Sequence, residues 1–161
     1  MITIKRQIAA PKLAFNNTEL DKSAIRYSYI AGIFDGEGCV SIYKGKSGFR
    51  VQVSIEMRDP HAIKYIASIL NIRVIKKERD DENHVMYCVQ MNNTKSLKFL
   101  NMVYPYLRVK KEQAMVAIKM LKYKSGVAPN DPFHKRIKKF KKWAAICKDL
   151  KKSSWTLAKK V

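Results

Sequence analysis

The stretch Ile30-Ala31-Gly32-Ile33-Phe34-Asp35-Gly36-Glu37-Gly38 decides the reading of this chain. It closes a segment in which the small residues Ala24, Ser28, Gly32 and Gly36 recur every four positions. On a helix they form one ridge, and a ridge without bulk lets two helix backbones approach closely. Ile25, Tyr29 and Ile33 form the neighbouring ridge and are expected to fill a core. A helix capped by Asp21 or Ser23 and running to about Phe34 is therefore expected to pack tightly on another helix, of its own chain or of a second copy. Its end, Asp35-Gly36-Glu37-Gly38, breaks a local rule. Acidic groups at a helix C-terminus oppose the macrodipole at roughly 0.3–1 kcal/mol each. A broken rule without visible compensation marks a functional site. Two such helices side by side would bring two Glu37 carboxylates together, and like charges that close need a divalent cation or a proton between them. Oxygen ligands suit Mg2+.

Downstream, Val40 and Ile42 alternate with Ser41 and Tyr43, Lys44 to Gly48 reads as a turn, and Val51, Val53 and Ile55 alternate with Arg50, Gln52, Ser54 and Glu56. That is a hairpin with one apolar and one polar face. Asp59-Pro60 opens a helix whose apolar face holds Ile63, Ile66, Ala67 and Leu70. Residues 73–79 and 84–91 flank the polar turn Asp80-Asp81-Glu82-Asn83 and make a second hairpin. A helix from Thr94 or Ser96 ends at Pro105, and another spans about Lys110 to Lys124. After a loop from Gly126 to Pro132, the spacing of Ile137, Phe140, Trp143 (or Ala144) and Cys147 predicts a basic amphipathic helix, followed by a short basic stretch from Lys151 to Val161. The order α-β-β-α-β-β-α-α-α gives an α+β fold, an antiparallel sheet backed by helices. Residues 1–20 read as an N-terminal arm and 21–161 as a single domain.

The 161 residues suit one domain with a real core. No apolar run reaches the ~20 residues of a membrane helix, and no secretory signal is seen. Cys39, Cys88 and Cys147 lack paired spacing, which argues against a disulfide framework or a zinc knuckle and fits a reducing compartment. The net charge of +20 needs a polyanion, with nucleic acid first and an anionic membrane surface second. It is uneven: residues 108–161 hold 17 basic against 3 acidic residues.

Residues 30–38 resemble the LAGLIDADG motif of homing endonucleases, with Glu37 as a common variant of the penultimate Asp. The hairpins that follow, the second αββ unit and the closing basic helices extend the resemblance over Ser23 to Val161. It implies the αββαββα fold with extra C-terminal helices. A single-motif chain is similar to the homodimeric members, whose motif helices pack at the two-fold axis; here Ala24, Ser28, Ala31 and Gly32 would form that interface. The resemblance makes Glu37 the essential metal ligand, gives Gly36 a carbonyl role and leaves Asp35 structural. The stretch Pro105 to Ala114 resembles the one that holds the active-site lysine, which points to Lys110, with Lys111 as the fallback. Many homodimeric relatives keep a polar residue, often Gln, at the end of the second strand. By alternation Met57 falls there and cannot orient water, so Glu56, Arg58 or His61 takes that role or the water shell is arranged differently.

With the motif in place, the polar hairpin faces are expected to meet DNA: Ser41, Tyr43, Arg50, Gln52, Ser54 and Glu56 on the first, and Lys76, Glu78, His84, Met86, Cys88 and Gln90 on the second. A one-residue slip would exchange members of the second set for Lys77 and Arg79. Side chains of these types read base edges, and a β-ribbon fits the major groove. Lys135, Arg136, Lys138, Lys139, Lys151, Lys152 and Ser153 are expected to grip phosphates. Trp143 and Trp155 are expected to pack. The resemblance thus implies an intron-encoded homing endonuclease: a homodimer that makes a staggered double-strand break in a long pseudo-palindromic duplex. Mg2+ or Mn2+ would serve cleavage, and Ca2+ would support binding alone. The expected setting is the cytoplasm beside the nucleoid, or an organellar matrix. The alternatives are an intron RNA maturase and a non-cleaving DNA-binding regulator of the same fold.

Overall fold

The computed structural model describes residues 19–79, 84–126 and 132–158. The expected arm lies outside these residues, except that positions 19 and 20 already belong to the first helix. The turn Asp80 to Asn83 also lies outside them.

Helix α1 spans Glu19–Glu37, so it begins before the predicted caps Asp21 and Ser23 and carries Asp35 to Glu37 within its last turn. Strands β1 (Gly38–Gly45) and β2 (Gly48–Met57) follow at once. Gly45 faces Gly48 across a two-residue turn, and Gly48 takes a φ of 101°, a left-handed value that glycine tolerates without steric cost. Helix α2 (Pro60–Leu70) has Asp59 as its cap: the carboxylate accepts the His61 backbone N–H at 2.7 Å, and Pro60 supplies a helical φ where no donor is needed. Strands β3 (Ile75–Arg79) and β4 (His84–Asn92) complete the sheet, which is antiparallel throughout in the order β1-β2-β4-β3. Helix α3 (Thr94–Val103) passes into a short 3-10 helix at Tyr104–Tyr106, as Pro105 requires, and α4 spans Lys111–Gly126.

The last helix, α5, runs unbroken over Phe133–Ala158. The stretch from Lys151 is thus mostly part of this helix and not a separate tail. Among the described residues no helix is long and apolar enough to cross a membrane.

The core lies between one sheet face and the helices. Ile30, Ala31 and Phe34 of α1, Val51, Val53 and Ile55 of β2, and Phe99 and Leu100 of α3 are buried in it. The Phe34 and Phe99 rings meet edge to face at 5.1 Å. Each large apolar side chain so buried contributes about 1.5–3 kcal/mol. Buried Ser96 donates to the Met91 carbonyl at 3.0 Å, which ties the start of α3 to the end of β4. Helix α5 packs on α4 and on the outer strand β1, and the Cys147 thiol donates to the Val40 carbonyl. The sheet therefore does not leave that end of β1 as a bare edge.

Candidate active site and nucleic-acid interface

Continuous hydrogen bonding carries α1 to Glu37, where β1 begins without an intervening loop. A Cβ on Gly38 would collide with the ring and carbonyl of Phe34, so the sharp turn from helix to strand demands glycine there. Both oxygens of the Asp35 carboxylate are occupied. They accept the backbone N–H of Arg108 at 2.7 Å and of Lys110 at 2.8 Å. This clamps the loop before α4 against the end of α1. The same clamp carries the Lys110 ammonium onto the Asp35 carbonyl and within 3.5 Å of the Gly36 carbonyl. Two residues separated by more than seventy positions in sequence thus meet at one point.

Burial pushes the Lys110 ammonium below the usual lysine range, opposed by the charges of Asp35, Cys39 and Glu37. Glu37 is exposed and makes no hydrogen bond or ion pair among the described residues. An exposed carboxylate beside a backbone carbonyl offers hard oxygen donors of the kind that suit Mg2+. No group of three or more His, Cys, Asp or Glu that could hold a metal ion occurs among the described residues.

The strand register sorts the hairpin residues. Ser41 faces Gln52, Tyr43 faces Arg50, Ser54 faces Gln90, and Glu56 faces Cys88. These, with Met86, share the sheet face opposite the core. Cys88 lies on it but is fully buried, so it is not available to touch DNA. Lys76 and Glu78 face Tyr87 and Val85, on the helix side of the sheet, where they pair with each other at 2.6 Å. Lys77 takes the outward position instead and forms an ion pair with Glu56. His84 faces Arg79 in register; its side chain lies outside the described residues. Met57, which the sequence places at the family's Gln position, faces Tyr87 and packs against the core. Arg58 and His61 are exposed at the junction of β2 and α2.

The α1 surface also departs from expectation. Ala31 is fully buried in its own chain's core, so it cannot line a partner. Ile25 and Tyr29, expected in the core, are 54% and 51% exposed. They border Ser28 and Gly32, both exposed, while Ala24 is half-buried. A Cβ on Gly32 or Gly36 would meet no atom within 4 Å, so packing within the chain does not explain the lack of bulk there.

On α5, Lys135 and Lys138 are exposed. Arg136 and Lys139 instead sit over the Phe133 and Tyr123 rings of their own chain, at 5.8 and 4.4 Å. Lys151 reaches the outward sheet face and donates to Ser41 Oγ at 3.0 Å and Cys39 Sγ at 3.3 Å. Lys152 is exposed, and the side chains of Ser153 and Trp155 lie outside the described residues. Trp143 packs against Tyr123 and Phe140.

No curated protein matches the sequence at a significant level. Solved structures do. The homing endonuclease I-CvuI, in complex with the I-CreI target in the presence of Mg with the DNA not cleaved, is 20% identical with a TM-score of 0.63, covering 80% of this chain and 83% of that one. The same endonuclease is also known in complex with its own target in the presence of Ca. The archaeal intron-encoded homing endonuclease I-Vdi141I, complexed with DNA, is 18% identical with a TM-score of 0.50, covering 74% of this chain and 97% of that one. These likenesses establish the fold. The family model described as LAGLIDADG endonuclease matches residues 30–126, from the first residue of the motif to the last of α4. That match takes in the α1 end, both hairpins and the Lys110 loop, and the chain belongs to the LAGLIDADG endonuclease family.

Proposed function

We propose that the protein is a homodimeric, Mg2+-dependent, site-specific DNA endonuclease of the homing type, encoded within an intron. The observation that carries this reading is the convergence of Glu37, the Gly36 carbonyl and Lys110 at the end of an exposed, bulk-free helix ridge. Two chains joined along that ridge through Ser28, Gly32 and Gly36 would set two such ends side by side. The exposed Ile25 and Tyr29 would then be covered.

In this arrangement Glu37 and the Gly36 carbonyl would hold the cation, and Mg2+ there would supply Lewis-acid activation of water and charge stabilisation at the leaving oxygen. Asp35 positions Lys110 through the two backbone contacts. Lys110, when charged, offsets the negative charge that builds on the phosphate. Two symmetric sheets lie along the major groove on either side, with Arg50, Gln52 and Gln90 among the residues that face base edges. Lys135, Lys138 and Lys152 add phosphate contacts that set position without reading sequence. Residues 21–161 act as one domain.

The test is incubation of the purified protein with a randomised duplex library in Mg2+ and in Ca2+, followed by sequencing of the ends. Defined staggered ends on both strands, in Mg2+ alone, are expected. Enrichment of bound sequences without cut ends would replace this reading with a DNA-binding regulator. Binding of structured intron RNA in place of duplex DNA would replace it with a maturase.

A further inference from the structure

Glu56 on β2 and Lys77 on β3 lie two strands apart on the outward face of the sheet, and their side chains meet in an ion pair across β4. Neighbouring strands are roughly 4.8 Å apart, so only two long side chains span that gap. On β4, Met86 faces Lys77, and the ion pair runs on the diagonal toward Cys88, which faces Glu56 on one side and Ile75 on the other. Cys88 is small and fully buried, which leaves room for the pair to close above it. The pair remains open to the groove side, with 43% of the Lys77 and 21% of the Glu56 side chain exposed.

The chemistry of this pair is directional. An ammonium only donates and an ionised carboxylate only accepts. In the major groove, a G·C pair presents the guanine N7 and O6 acceptors beside the cytosine N4 donor. An ammonium beside a carboxylate matches that order. An A·T pair interleaves its adenine N6 donor between acceptors and adds a thymine methyl, so it fits the pair poorly. The place in the sheet is also defined. Ile55 faces Gly38, the residue directly after Glu37, so Glu56 stands at the end of the sheet nearest the end of α1.

We propose that the Glu56–Lys77 pair reads one G·C base pair in each half-site, next to the segment that is cut. This inference rests on the endonuclease reading for its DNA partner. Its test uses binding and does not need cleavage. Randomised duplexes are selected in Ca2+ by the wild type, by Lys77→Ala, by Glu56→Ala and by the charge-exchanged double variant Glu56→Lys/Lys77→Glu. The same pools are incubated separately with wild type in Mg2+.

The wild type is expected to prefer G·C about ten- to a hundred-fold at one symmetric position. Each single variant is expected to lose that preference to within about three-fold, leaving the other positions as they were. The exchanged variant is expected to prefer C·G at the same position, because donor and acceptor have traded places. Unaltered profiles in the single variants would overturn the proposal, as would a double variant that keeps the original orientation. A wild type that selects sequence but never cuts would sink the endonuclease reading, and the variant profiles would still decide the base contact. A wild type with no preference anywhere would overturn the base contact whether or not DNA is cut. The pair is on the surface, so unchanged circular dichroism and melting of all variants are expected and confirm that profiles report recognition.

Discussion

Asp35 is not the acid that faces outward at the end of α1; its carboxylate holds the loop that brings Lys110 to Gly36. Hydrogen bonds to a charged acceptor are worth about 1.5–3 kcal/mol. Asp35→Ala should therefore lower stability by about 2 kcal/mol, read as a fall in the urea midpoint. It should also weaken cleavage at temperatures where the variant is fully folded, since Lys110 loses its anchor. Gly38→Ala should cost about 1–3 kcal/mol by the same assay, because the new methyl meets Phe34 in a packed turn. The buried thiols give a pH-dependent counterpart. Burial pushes Cys147 and Cys88 above the ordinary thiol value of 9.0. A raised folded-state value means that the folded chain keeps its proton after the unfolded chain has lost it. Stability then falls as pH rises past the unfolded value of 9.0 and levels off above the raised folded value. Melting followed from pH 8 to pH 10 should show the fall, and Cys147→Ala should reduce it.

The order of elements was legible in the sequence because apolar alternation and capping residues mark each one, and Asp59-Pro60 and Pro105 sit where they were placed. The register of the second hairpin was not. The run Lys76-Lys77-Glu78-Arg79 is charged on both faces, so alternation does not say which residues look outward. The structure resolves it through the pairing of Ile75 with Cys88. The α1 surface was only half legible for a related reason. The ridge of Ser28 and Gly32 was visible as a spacing, yet spacing alone does not tell Ala31, which meets its own core, from Tyr29, which does not. Glu37 is singled out by the motif and Lys110 by the likeness of Pro105 to Ala114, whereas the clamp at Asp35 depends on a contact across seventy-three positions. Helix α1 supports a prediction of its own. Gly32→Leu adds bulk where the chain has no neighbour within 4 Å and replaces a poor helix former. The fold of the single chain should be as stable or slightly more so, while light scattering should show the dimer lost. A dimer of unchanged affinity would place the interface elsewhere.

On the proposed reading, the net charge of +20 would draw the protein to any duplex before sequence is read. Binding should weaken steeply with salt, and replacing Lys135 and Lys138 together by Ala should lower the salt slope by about 2 without altering the selected sequence. In the proposed reading, exposed lysines on α5 and outward polar residues on the sheet divide affinity from specificity, and Glu37 at the end of α1 supplies the chemistry. That last assignment is the one on which the account depends. The measurement that tests it most directly compares wild type and Glu37→Gln on the selected duplex, scoring cleavage in Mg2+ and binding in Ca2+ side by side. The variant is expected to bind as the wild type does and to cut about a hundred-fold less or not at all. Equal cutting by Glu37→Gln would contradict it, because a neutral amide at that position would then serve as well as the carboxylate.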